Sequence, residues 1–153
     1  MSVRSSRAVP IAVTAALLGA AVAVAAQVIQ TDADLVFGKL AVGPAPGTVT
    51  IAASGARTSN GGASLVGSTC GSARFAVTGT PTTAFGIVLP SSTSLVSGAA
   101  HMTVDSFQST PSGTSVLDGS GRRDLQVGAT LHVNAGQARG AYSGSFDVTV
   151  AYE

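Results

Sequence analysis

Between residues 125 and 133 the apolar side chains Leu125, Val127, Ala129, Leu131 and Val133 fall on one side of an extended chain. The pattern returns at the end, where Phe146, Val148, Val150 and Tyr152 oppose Ser145, Asp147, Thr149 and Ala151. Period-two alternation marks strands with one buried and one wet face. An amphipathic helix would need apolar residues three and four apart, and no stretch beyond residue 26 has that spacing. A doubly wound α/β enzyme is therefore a poor fit.

Shorter runs between these two repeat the habit. Residues 35–40 predict a first strand stopped by GPAPG, and residues 48–51 a second, with Val49 and Ile51 on one face, broken at SGARTSNGG. Residues 73–78 put Phe75 and Val77 inward. Phe85, Ile87 and Leu89 alternate up to Pro90, which removes a ladder donor. Ala100, Met102 and Val104 share one face, while His101, Thr103 and Asp105 share the other. Seven or more short strands predict an all-β fold built as a β-sandwich, with a barrel as the competing closure.

The first 26 residues read differently. Arg4 and Arg7 precede a charge-free stretch from Ala8 to Ala26, ending in the small residues Ala23, Ala25 and Ala26. Basic start, apolar middle and small-residue end are the three zones of a signal peptide. A membrane anchor is the alternative for a run of this length. Cleavage after Ala26 would leave one domain, residues 27–153, exported through the periplasm to the cell surface or beyond.

Removal of the leader leaves six basic residues against seven acidic ones. Nucleic-acid binding calls for a cationic face, whereas here only Arg122 and Arg123 are locally basic, beside Asp124. About 127 residues can bury a core without staples. The single cysteine, Cys70, has no partner for a disulfide and no adjacent histidine in sequence to activate it.

Few side chains could carry chemistry. His101 and His132 lie on polar strand faces, and Asp105 stands about 13 Å from His101 along an extended strand, beyond hydrogen-bond reach. A metal site would need the two histidines and an aspartate brought together by strand pairing. Asp32, Asp34, Asp118 and Asp124 could offer oxygen ligands to calcium, but Asp118-Gly119 also fits a plain turn. Ser94 and Ser143 lack a nucleophile motif, and SNGGAS and DGSGRR lack the lysine and helix of a phosphate loop. No catalytic, cofactor or metal site is predicted. Tyr142, and after it Phe107, are the candidate exposed aromatics for a sugar ring, with Arg122 and Arg123 as loop contacts in the same reading.

Phe37-Gly38, GTVTI (47–51), ARFAVTG (73–79), IVLP (87–90), MTVDSF (102–107) and VGATLHVNAGQARGAYSGSFDVTVAY (127–152) jointly resemble a bacterial secreted family known as domain of unknown function 4402. The ending and the phenylalanine-glycine of the first strand are also similar to spore coat protein U type proteins and to archaic chaperone-usher pilin subunits. That likeness implies an immunoglobulin-like sandwich missing its last strand, completed by a periplasmic chaperone and then by a homologous subunit at an outer-membrane usher. Phe146, Val148, Val150 and Tyr152 would form the strand that a partner completes. Val28 and Ile29 would lie in the donor segment, although as neighbours they face opposite ways and make a short, weakly patterned donor. A strand that simply holds down the chain end of a complete sandwich is the alternative. The expected function is a non-catalytic exported subunit of a fimbria-like assembly, or else a secreted binding module.

Overall fold

The computed structural model describes residues 2–5 and 27–153. Most of the predicted leader, residues 1 and 6–26, lies outside the described residues. The described strands are β1 (Ser2–Ser5), β2 (Val28–Ala33), β3 (Leu35–Val36), β4 (Lys39–Ile51), β5 (Arg57–Val66), β6 (Ala73–Thr78), β7 (Ala84–Val88), β8 (Ser92–Ser97), β9 (Ala100–Thr110), β10 (Thr114–Val116), β11 (Arg122–Val133), β12 (Ser143–Phe146) and β13 (Thr149–Tyr152).

The fold is all-β, as the alternation predicts. The larger sheet runs β2-β6-β11-β9-β8-β12-β1-β3, with β4 paired to β11 and β5, and a smaller sheet runs β10-β7-β13. The larger sheet is dominated by a curled, open six-strand surface whose edges stand 12 Å apart, consistent with an incomplete immunoglobulin-like β-sandwich.

Strand β11 organises the larger sheet. On one side its first half pairs with β6, Arg122 opposite Thr78 through Val127 opposite Ala73. Its second half pairs with β4, Ala129 opposite Ile51 through Val133 opposite Gly47. The changeover is Gly128. A Cβ there would lie 2.1 Å from the carbonyl oxygen of Ile51 and 2.8 Å from the amide nitrogen of Ala53, so only glycine lets the β4 end approach so closely.

Along its other side β11 pairs with β9 and slips register between Gly128 and Thr130. Ser106 and Phe107 together face the single residue Ala129, and Ser106 takes up φ 52°. This is a bulge, and it resets the alternation of β9. Met102 and Val104 face the core ahead of it, and Phe107 packs against the core after it.

The sequence expectations for the early strands need correction. GPAPG does not stop a strand, because β4 passes through it with an irregularity between Val42 and Gly47. SGARTSNGG is not simply a break either, since β5 begins within it at Arg57 and pairs along β4. The first predicted strand is interrupted at Phe37-Gly38, where Gly38 has φ 79°. The final alternating run is two strands in two sheets: β12 joins the larger, and β13 pairs with β7 in the smaller.

Two groups of apolar side chains hold the sheets. The larger includes Leu35, Phe37, Val49, Ile51, Phe75, the five alternating residues of β11, Tyr142, Phe146 and Val148. The smaller comprises Val77, Phe85, Leu117 and Val150. Ile29 and Ile87 pack against both, so the two form a continuous interior. Burial on this scale is the dominant stabilising term for a chain with few ion pairs.

Candidate functional site

The approach to β12 is fixed by Tyr142. This side chain is buried; its hydroxyl donates to the carbonyl oxygen of Ala138 at 2.6 Å, and the hydroxyl oxygen accepts from Nε2 of Gln137 at 2.9 Å. A tyrosine whose hydroxyl bonds back to the backbone a few residues upstream is a corner device of immunoglobulin-like sandwiches. The expectation of an exposed Tyr142 stacking on a sugar is thereby corrected. Phe107 is likewise half-buried, with its ring 5.1 Å from that of Phe146.

Beyond the corner, Phe146, Val148 and Val150 are all buried and Tyr152 is half-buried. Phe146 also meets Phe75 edge-on at 6.2 Å, an arrangement that aromatic quadrupoles favour. The Tyr152 ring lies 6.1 Å from that of Phe85, and its partial burial pushes its phenol pKa up. These four residues therefore face their own core.

The backbone of β12 presents two edges. One lies against β8: Ser143 is opposite Val96, and the Thr93 hydroxyl donates to the carbonyl of Ser145 at 2.6 Å. At Gly144 a Cβ would stand 2.3 Å from the Ser94 carbonyl oxygen, so the two strands touch backbone to backbone. The other edge pairs with β1 in parallel, from Ser2 opposite Ser143 to Ser5 opposite Phe146. Strand β1 in turn pairs antiparallel with β3, Ser2 opposite Val36 and Val3 opposite Leu35.

Between β12 and β3 there is thus a slot one strand wide. The far wall is tied to the rest of the sheet by a bridge in which the Val36 amide donates to Gly71 at 2.8 Å and the Gly71 amide to Val36 at 2.9 Å. Tyr142, at the start of the slot, also lines a cleft of about 770 Å³ with Leu40, Val42, Gln137 and Arg139. Val28 and Ile29 belong to β2, which pairs within the same chain along β6; Val28 is exposed and Ile29 half-buried.

Arg122 and Arg123 sit elsewhere, at the start of β11. Arg122 pairs with Asp124 at 2.9 Å and reaches Asp32 at 3.6 Å, and Arg123 donates to the Ser115 hydroxyl at 3.3 Å. Asp118 closes the preceding turn, accepting from the Ser120 amide and hydroxyl and from the Arg122 amide. Those donors, the Ser120 hydroxyl foremost, hold its carboxyl below the ordinary value. The structure thus engages Arg122 with three of the four aspartates weighed as calcium ligands, Asp32 and Asp124 through its guanidinium and Asp118 through its amide, and it does not bring either arginine to Tyr142.

Strand pairing does unite His132 with Asp105, whose Oδ1 accepts from Nε2 at 2.8 Å and from the Ser106 hydroxyl at 3.0 Å. The His132 bond, with Ser106 second among the favourable contacts, lowers the Asp105 pKa. The serine hydroxyl bonds the carboxylate and not the imidazole, so the order of a Ser-His-Asp triad is absent. Among the described residues no three His, Cys, Asp or Glu side chains gather at one point. Cys70 is half-buried, with Sγ 3.8 Å from the Gly55 carbonyl oxygen.

The slot had no signal in the apolar pattern, since it is made of backbone edges far apart in sequence. Residues 28–152 match the family described as Domain of unknown function (DUF4402). No curated protein and no solved structure matches the chain.

Proposed function

The chain belongs to the DUF4402 family, and on that premise we propose that it is a non-catalytic, exported structural subunit of a fimbria-like or cell-surface assembly, joined to its neighbours by strand complementation. An incomplete β-sandwich is consistent with a donor-strand-type structural subunit in general. The observation that carries the reading is the second edge of β12, which among the described residues is paired only with a strand from ahead of the predicted leader cleavage site. Once that strand is gone, β12 is an unpaired edge. Such an edge is a template for another chain, and adding an extended segment to it supplies main-chain hydrogen bonds for affinity and pockets for alternate side chains.

The partners in this reading are a periplasmic chaperone, an outer-membrane usher and homologous subunits, and the location is the periplasm in transit and then the cell surface. The test is the mass of the protein sheared from the cell surface, run on denaturing gels with and without boiling. A ladder that collapses only on boiling, and persists in Cys70→Ser, is expected. A single monomer band in both lanes, from protein that also unfolds cooperatively alone, would sink the proposal.

A further inference from the structure

The strand already seated in the slot belongs to the same chain. Residues Ser2–Ser5 run parallel to β12 over its whole length and antiparallel to β3, so they satisfy both walls at once. Neighbouring strands lie about 4.8 Å apart, and one strand, β1, pairs directly with both walls, so the slot takes one inserted strand and no more. Two strands cannot occupy it together.

We propose that Ser2–Ser5 is a built-in plug: while residues 1–26 remain attached, the chain closes its own acceptor slot, and their removal opens it to the strand of a second copy. This rests on the strand-complementation reading and adds its regulation. A chain that folds before the leader is cut is held as a monomer; a chain that has lost the leader exposes the second edge of β12 and the outer edge of β3. The positions that matter lie on both sides of the cut, Ser2–Ser5 ahead of it and Leu35–Val36 with Ser143–Phe146 after it. The plug is short, four residues against β12, so its hold depends on being tethered, which gives it a high effective concentration that a free segment lacks.

The test uses the full chain with its leader retained, in a Cys70→Ser background. Arg4→Cys is combined with Ser145→Cys, because these residues are direct partners in the register and neighbouring strands stand within the separation that a disulfide spans. Arg4→Cys with Ser120→Cys, in the turn before β11, is the control. Oxidation is expected to close an intramolecular link at monomer mass in the first protein and not in the second. A protease site placed between Ala26 and Gln27 of the folded chain supplies the second readout. Boiling-sensitive multimers are expected only after cutting, and not when the link between positions 4 and 145 is closed. Linking no better than the control, with multimers still appearing after cutting, would overturn the plug and leave strand complementation standing. A closed link at positions 4 and 145 with no multimers after cutting the unlinked chain would overturn both.

Discussion

The hydroxyl of Tyr142 donates to the carbonyl oxygen of Ala138 at 2.6 Å, from a side chain only 2 % exposed. This bond closes the corner from which the chain enters β12, and so it fixes where the slot begins. Tyr142→Phe keeps the ring and removes the bond, leaving the Ala138 carbonyl and the Gln137 amide short of a partner. A loss of about 1–2 kcal/mol is expected, read as a lower urea midpoint with an unchanged slope. An unchanged midpoint would mean that the corner is not a stabilising device.

At Gly128 the expected change is larger. Alanine would place its Cβ against the backbone of Ile51, Ala52 and Ala53, none of which can yield without opening the β4 pairing. Gly128→Ala is expected to cost about 3 kcal/mol or more. Hydrogen exchange should locate the weakening first in the amides of β4 and β5, and protection lost evenly over the whole sheet would contradict this account.

Phe146 tests whether the final alternating run is core. Its ring contacts Phe75 and Phe107 and is 3 % exposed. Phe146→Ala is expected to cost about 3–5 kcal/mol through lost burial and a residual cavity. Thermal denaturation of the isolated chain is the measurement. An exposed, partner-facing phenylalanine would leave the melting temperature of that chain nearly unchanged.

The Asp105 to His132 pair has a defined pH signature. The His132 hydrogen bond depresses the folded-state pKa of Asp105, so its contribution is present above the ordinary carboxylate value of about 4 and is lost as pH falls through the lower folded value. Because both side chains are well exposed, solvent screening holds the effect below about 1 kcal/mol. Asp105→Asn should be slightly less stable than the parent at pH 6, and the gap should close as the pH falls below 4. A gap that widens on acidification would reverse the assignment.

What the sequence by itself determined is which side chains face inward. Every one of Leu125, Val127, Ala129, Leu131 and Val133 is buried, as are Met102, Val104, Phe146, Val148 and Val150. Alternation reports burial directly, because the geometry of an extended chain puts successive side chains on opposite faces wherever the strand lies. Tertiary structure decided which strands meet. It made a strand of the polar RTSNGGASLV by pairing it with β4, turned Phe107 to the core through a bulge, and divided the last run between two sheets. It also set Asp105 beside His132 across 27 residues of sequence, and it laid Ser2–Ser5 in the slot between β3 and β12. Backbone hydrogen bonds between strands carry no side-chain signature, and their partners are chosen by the packing of the whole chain.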